Sequence, residues 1–215
     1  MVKPSEKRLA HFRDLVAFDR ALPGFGTSLA GMDEAGRGPL VGNVVAACVI
    51  LPAQPLYEWI DDSKRLSPKR REEMYERIME TALFVGVGEA SPEEIDRLNI
   101  LQATFLAMRR AVEGLQTTPA LVLVDGNRDP GLGLPTRTVV GGDGKSAAIA
   151  AASILAKVTR DRYLLQLDRQ YPQYAFAKHK GYGTQLHYQL LGQYGPCPEH
   201  RRSFLRKWME GQQDG

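Results

Sequence analysis

The run from Val41 to Leu51, VGNVVAACVIL, constrains the fold more than any other stretch of this chain. Beyond Asn43 it is rich in β-branched residues and apolar at successive positions, so as a strand it has two apolar faces. Such a strand belongs in the middle of a sheet covered on both sides. SLAGMD, just before it, reads as a partner strand, and the two are joined by a turn built from Gly36, Arg37, Gly38 and Pro39.

The rest of the chain supplies the layers that such a sheet needs. Ser67 and Pro68 open a helix over PKRREEMYERIMETA as N-cap and first helical residue. LFVGVGEA follows as a strand. SPEE is a capping box, Ser91 with Glu94, and starts one helical region that runs through ILQATFLAMRRAVEGL and stops at Gly114. ALVLVD is a short buried strand ending at Asp125, TRTVV is another that leads into GGDGKS, and a long helix runs from about Ser146 to Tyr171. After YPQY the chain turns polar and basic through AFAKHKGYGT, with helices near QLHYQLLGQYG and RRSFLRKWME. Leu9, Phe12 and Val16 mark a short amphipathic helix near the beginning. Strands first, then alternation, then helices predict an α/β fold: a mixed sheet flanked by helices, with a helical C-terminal extension. The whole of 1–215 is expected to act as one unit, a core over about 28–172 and an extension over 173–215 that contributes to substrate binding.

Composition narrows the function classes. Lys and Arg number 28 against 25 Asp and Glu, a net charge of +3 that permits nucleic-acid binding without a broad basic face. Two cysteines, Cys48 and Cys197, in unrelated contexts indicate neither a disulfide framework nor a zinc site. The charged start, MVKPSEKRLAHFRDLVAFDRAL, has neither the apolar core of a signal peptide nor that of a membrane span, so no membrane partner is expected; with so few cysteines the expected location is the cytoplasm, and a monomer is expected although the sequence does not fix the oligomeric state.

The acids carry the chemistry. Asp33 and Asp125 each end an apolar strand, where α/β sheets open a crevice. If those strands are parallel neighbours, the two carboxylates stand roughly 5 Å apart. Glu34 lies beside the first, and Asp143, after a third strand and before the long helix, can reach the same place. Adjacent carboxylates raise each other's pKa unless a cation sits between them. Oxygen ligands of this kind select Mg²⁺ or Mn²⁺, and two such ions orient a water and stabilise the leaving oxygen in phosphodiester hydrolysis. Beside the acids, Gly36, Arg37 and Gly38 allow close backbone approach to a sugar. Lys64, Lys145 and Ser146 suit phosphate oxygens, and Tyr182, between glycines, offers a face for sugar or base stacking. His179, His187 and His200 lack metal-type spacing and read as structural or phosphate-adjacent. Asp161 reads as a structural ion-pair partner rather than a ligand, while Lys157 and Arg160 suit carboxylates of the fold as well as a substrate and are not assigned to the site.

The segments AGMDEAGRGPLVG, DDSKRLS, LVLVDGNR, VVGGDGKSAAIAAASILAKVTRDR, HKGYGT and GPCPEHRRSF, in this order from Leu29 to Phe204, resemble the bacterial type 2 ribonucleases H, the ribonuclease HII family. The resemblance implies the ribonuclease H-like sheet. It also implies endonucleolytic cleavage of RNA in RNA/DNA hybrids and incision at single ribonucleotides embedded in duplex DNA. It places the family's metal-binding acids on Asp33, Glu34, Asp125 and Asp143. It makes the Gly36–Gly38 turn the reader of a 2′-hydroxyl and its neighbouring phosphate, with Tyr182 packed on the sugar at the junction. One departure is local: Asn43 follows Gly42 where the family usually has proline. The competing expectations are type 3 ribonuclease H, disfavoured because only about thirty residues precede the first motif, and a non-catalytic nucleic-acid-binding module of the same fold, which a missing acid would favour.

Overall fold

The computed structural model describes residues 5–54, 63 and 66–211. Five strands form one sheet: β1 (Leu29–Ala35), β2 (Val44–Ile50), β3 (Phe84–Ala90), β4 (Leu121–Asp125) and β5 (Thr136–Val139), in the order β3-β2-β1-β4-β5. β2 runs antiparallel to both its neighbours, whereas β1, β4 and β5 are mutually parallel. The apolar run thus lies inside the sheet, every residue of β2 buried.

The described residues form eight α-helices, of which α4 and α5 lie against the sheet: α1 (Glu6–Arg20), α2 (Pro68–Thr81), α3 (Pro92–Leu98), α4 (Ile100–Glu113), α5 (Ala147–Gln170), α6 (Phe176–His179), α7 (Gln185–Tyr194) and α8 (Arg202–Gly211). Alternation along β2 divides its side chains between two cores. Ala47 and Val49 pack with Met74 and Ile78 of α2 and the alanines of α5, while Ala46, Cys48 and Ile50 pack with Ala103, Ala107 and Ala111 of α4. The alanine-rich start of α5 lets its backbone come down on β1. A Cβ at Gly31 would lie 2.0 Å from the carbonyl carbon of Ala148, so this position has to be glycine.

The caps hold where the sequence put them, with one correction. Ser67 accepts from the Arg70 N–H, and Ser91 with Glu94 forms the capping box. The helical region after Ser91 is two helices, however, not one. Asn99, at φ 70°, ends α3, and its Oδ1 accepts from the N–H groups of Leu101 and Gln102 to start α4. Asparagine caps well, and with φ positive here the chain leaves one helix and enters the next, so a single residue makes both the break and the new beginning.

The C-terminal helices are tied to the rest by polar contacts as well as by packing. The Asp96 carboxylate of α3 accepts from the N–H groups of Arg202 and Ser203 at the start of α8, a favourable place for negative charge. Asn43, the departure from the family pattern, donates to Glu89 Oε2 at 2.6 Å and so links β2 to the end of β3.

Candidate active site

Strand register builds the site. Met32 pairs with Val124 in parallel alignment, which makes Asp33 and Asp125 the next rung of β1 and β4. Asp143 arrives from the 3-10 turn Gly142–Gly144, and the Gly142 N–H donates to Asp125 Oδ1 at 2.6 Å, locking that turn to the end of β4. Asp33, Asp125 and Asp143 thereby offer carboxylate oxygens within 4.8 Å of one another. Asp33 and Asp143 are buried. Burial, then the charges of Glu34 and Asp125, hold the Asp33 carboxyl well above the usual carboxylate range, while hydrogen bonds from Ser153 and from the Glu34 N–H work in the other direction. A buried group of like charges with hard oxygen donors fits a divalent cation, which would relieve the repulsion that raises Asp33.

Glu34 does not join the three. Alternation along β1 turns its side chain the other way, where Oε1 lies 3.3 Å from Arg37 Nη1. It therefore stands on a partition between two clefts. One, of about 200 Å³, is lined by Asp33, Ser63, Asp125, Ser153, Lys180 and Tyr182 among others. The second runs past Arg37, Phe105, Met108, Asn127 and Arg128, and Glu34 and Asp125 line both.

The segment from Gly36 to Asn43 is pinned rather than loose. Gly36 has φ +95°, and a Cβ there would lie 2.1 Å from Arg160 Nε, so only glycine fits against that buried guanidinium. Arg160 donates to the Val41 carbonyl. Tyr182 is half exposed, and its ring edge approaches within 3.6 Å of where a Gly38 Cβ would stand. The ring lies open beside the turn, not in the core.

The remaining expectations divide. Lys145 is exposed, with its ammonium on the Val140 carbonyl at 2.6 Å. Ser146 is fully buried; its hydroxyl caps α5 by accepting from the Ile149 N–H and bonds the Asp19 carboxylate, so the structure does not bring it to the cleft. Lys64 lies outside the described residues. Lys157 pairs with Asp161 at 2.7 Å, in keeping with the structural reading of Asp161. His179, His187 and His200 are buried and structural. Sequence reasoning missed Lys180 and Ser153 as cleft residues. Ser153 sits within an alanine-rich helix two turns past the cap, and only its spacing from Ser146 could have hinted at a shared face.

A mixed five-stranded sheet in this order, with acids at the carboxyl ends of its central parallel strands, defines the class: a nuclease of the ribonuclease H fold. The family model for Ribonuclease HII matches residues 30–209, and the chain belongs to the ribonuclease HII family. It is 56% identical over 184 residues to Ribonuclease HII of Shewanella amazonensis, covering 85% of this chain and 89% of the relative. With Ribonuclease HII of Shewanella oneidensis it shares 55% identity over 203 residues, covering 91% and 96%. Among solved structures, ribonuclease H2 from Pyrococcus horikoshii OT3 superposes with a TM-score of 0.69 at 28% identity, over 82% of this chain and 93% of that one. The protein is accordingly a ribonuclease H, an endonuclease acting on nucleic acid. No helix among the described residues is long and apolar enough to cross a membrane.

Proposed function

We propose that the enzyme cuts on the 5′ side of a ribonucleotide embedded in duplex DNA, and hydrolyses the RNA strand of RNA/DNA hybrids, leaving a 3′-hydroxyl and a 5′-phosphate. The observation that carries this reading is the packing of Tyr182 against Gly38, beside the three-acid centre. A close-approach turn and an open ring on the same cleft wall can meet a hydroxyl and a sugar face together.

Asp33, Asp125 and Asp143 would hold a divalent ion, and Glu34, on the partition beside Asp125, would complete the ligands of a second. Two Mg²⁺ or Mn²⁺ ions bound there supply Lewis-acid stabilisation and orientation of the attacking water. The chain's own groups position the strand. The N–H groups of the Gly36–Gly38 turn bind the ribose hydroxyl and the adjacent phosphate, and Tyr182 stacks on the sugar. Arg37 and Lys145 neutralise phosphates at the rim, and Lys64 is assigned to a phosphate from its sequence motif alone. Ser153 donates to Asp33 and keeps its carboxylate oriented in the cleft.

The test compares a duplex holding one ribonucleotide with the same duplex built of deoxyribonucleotides only, in Mg²⁺. The reading expects cleavage of the first alone. Cleavage of both, or of neither, contradicts it.

A further inference from the structure

The motif GPCPEHRRSF has no part in the chemistry above, yet two of its residues reach both halves of the ribose reader. Arg201 is fully buried. Its guanidinium donates to four carbonyls of one loop: Nη2 to Gly36 at 2.7 Å, Nη1 to Arg37 at 3.1 Å and to Pro39 at 2.8 Å, and Nε to Gly42 at 2.9 Å. A planar fork of N–H groups is the side chain that can span so many acceptors from a single point. Even with its pKa brought down to about 9 by burial and by neighbouring Arg160, it remains a cation at neutral pH.

The consequence follows from peptide geometry. In a trans peptide, C=O and the next N–H point in opposite directions. With the Gly36 and Arg37 carbonyls drawn in to Arg201, the N–H groups of Arg37 and Gly38 are turned away from it, and neither finds an acceptor among the described residues. Arg201 therefore presents those donors.

His200, the preceding residue, reaches the other half. Its Nδ1 accepts from the Cys197 N–H at 3.0 Å, so its proton sits on Nε2 and faces His187 Nε2 at 3.1 Å. His187 accepts there and donates from Nδ1 to the Tyr182 carbonyl at 2.9 Å. Each ring has one donor and one acceptor used, the arrangement of two neutral imidazoles. Between these two anchors, Leu40 N–H donates to the Gly181 carbonyl and accepts at its own carbonyl the Arg201 N–H.

We infer that His200 and Arg201 are positioning residues for ribose selection, Arg201 orienting the Gly36–Gly38 turn and His200, through His187, fixing the backbone of Tyr182 in register with it. This rests on the proposed reading of the turn and ring. It adds what aligns them.

The experiment measures binding, in Ca²⁺ to prevent turnover, to duplex DNA with one ribonucleotide and to its all-deoxy counterpart, for the full chain and three variants. The parent prefers the ribonucleotide duplex; equal affinity for both would overturn the reading of the turn and ring, and with it this inference. In Arg201→Lys, which cannot span four carbonyls, and in His187→Leu, the preference falls by about tenfold, the scale of one or two lost hydrogen bonds. All-deoxy affinity and Mn²⁺ affinity stay parental. His187→Asn, whose amide can donate to the Tyr182 carbonyl as Nδ1 does but cannot reach His200, recovers only part of the preference; full recovery would remove His200 from the inference. A parental preference in the folded variants, or equal losses on both duplexes, would overturn the inference while leaving the parent's selectivity intact. If Arg201→Lys does not fold, the His187 pair decides.

Discussion

Asp33 and Asp125 stand on the same rung of neighbouring strands because Met32 and Val124 pair in parallel register, and the repulsion this creates helps to raise the Asp33 carboxyl. Asp33→Asn should therefore abolish cleavage. In the absence of divalent ions it should leave the melting temperature unchanged or raise it by a few degrees, since a buried charge is removed and the oxygen that accepts the Glu34 N–H is kept. Retained turnover, or a large loss of metal-free stability, would show Asp33 to be structural.

Metal should act on the fold as well as on the rate. EDTA is expected to stop cleavage, and Mg²⁺ or Mn²⁺ to restore it. A ligand bound at a hundred times its dissociation constant stabilises the native state by about 2.7 kcal/mol. Calorimetry with Mn²⁺ should show a matching upward shift that is absent in Asp33→Asn. The same shift in both proteins would place the ion elsewhere.

Asp33 and Asp125 were legible in the sequence because they lie near or at the end of an apolar strand, and Asp143 because it stands in a glycine-rich turn between a strand and a helix. Glu34 shows the limit of that reading: neighbours in sequence face opposite sides of a strand, and its partner Arg37 became apparent only with the fold. Ser146 and Lys145 mark a second limit. A serine beside a lysine before a helix suits a phosphate and a helix cap equally, and burial against Asp19 decides for the cap. The Arg201 contacts join positions far apart in the chain, so no local pattern could reveal them.

Tyr182 gives a graded prediction. Base or sugar stacking lost on truncation is worth about 1–3 kcal/mol. Tyr182→Ala should lose roughly tenfold to a hundredfold in kcat/KM on a single embedded ribonucleotide, at about 1.4 kcal/mol per tenfold. Tyr182→Phe should fall between Ala and the parent. Parental rates in Tyr182→Ala would move junction recognition to other residues.

The buried imidazoles predict how stability responds to acid. Burial, chiefly, brings both His187 and His200 down to about 4 from an ordinary 6.5. The unfolded chain takes up protons between those values that the fold refuses, so this contribution is complete above pH 6.5 and is lost as pH falls toward 4. For one such imidazole the change is on the order of 3 kcal/mol. Asp19, raised to about 6, works in the opposite direction in the same window, so the comparison has to be with a variant. Urea midpoints between pH 7.5 and 4.5 should fall less in a His187→Asn, His200→Asn double variant than in the parent. Equal slopes would mean that the rings carry no such linkage.

The central claim is that Asp33, Asp125 and Asp143 and a ribose-reading wall act on one phosphodiester. The measurement that meets it most directly is mapping the cut in an end-labelled duplex with one ribonucleotide, with and without Mg²⁺. The account predicts one Mg²⁺-dependent incision immediately 5′ of the ribonucleotide, with a 3′-hydroxyl and a 5′-phosphate. A cut on its 3′ side, ends of the opposite polarity, or incision that survives thorough chelation would contradict it.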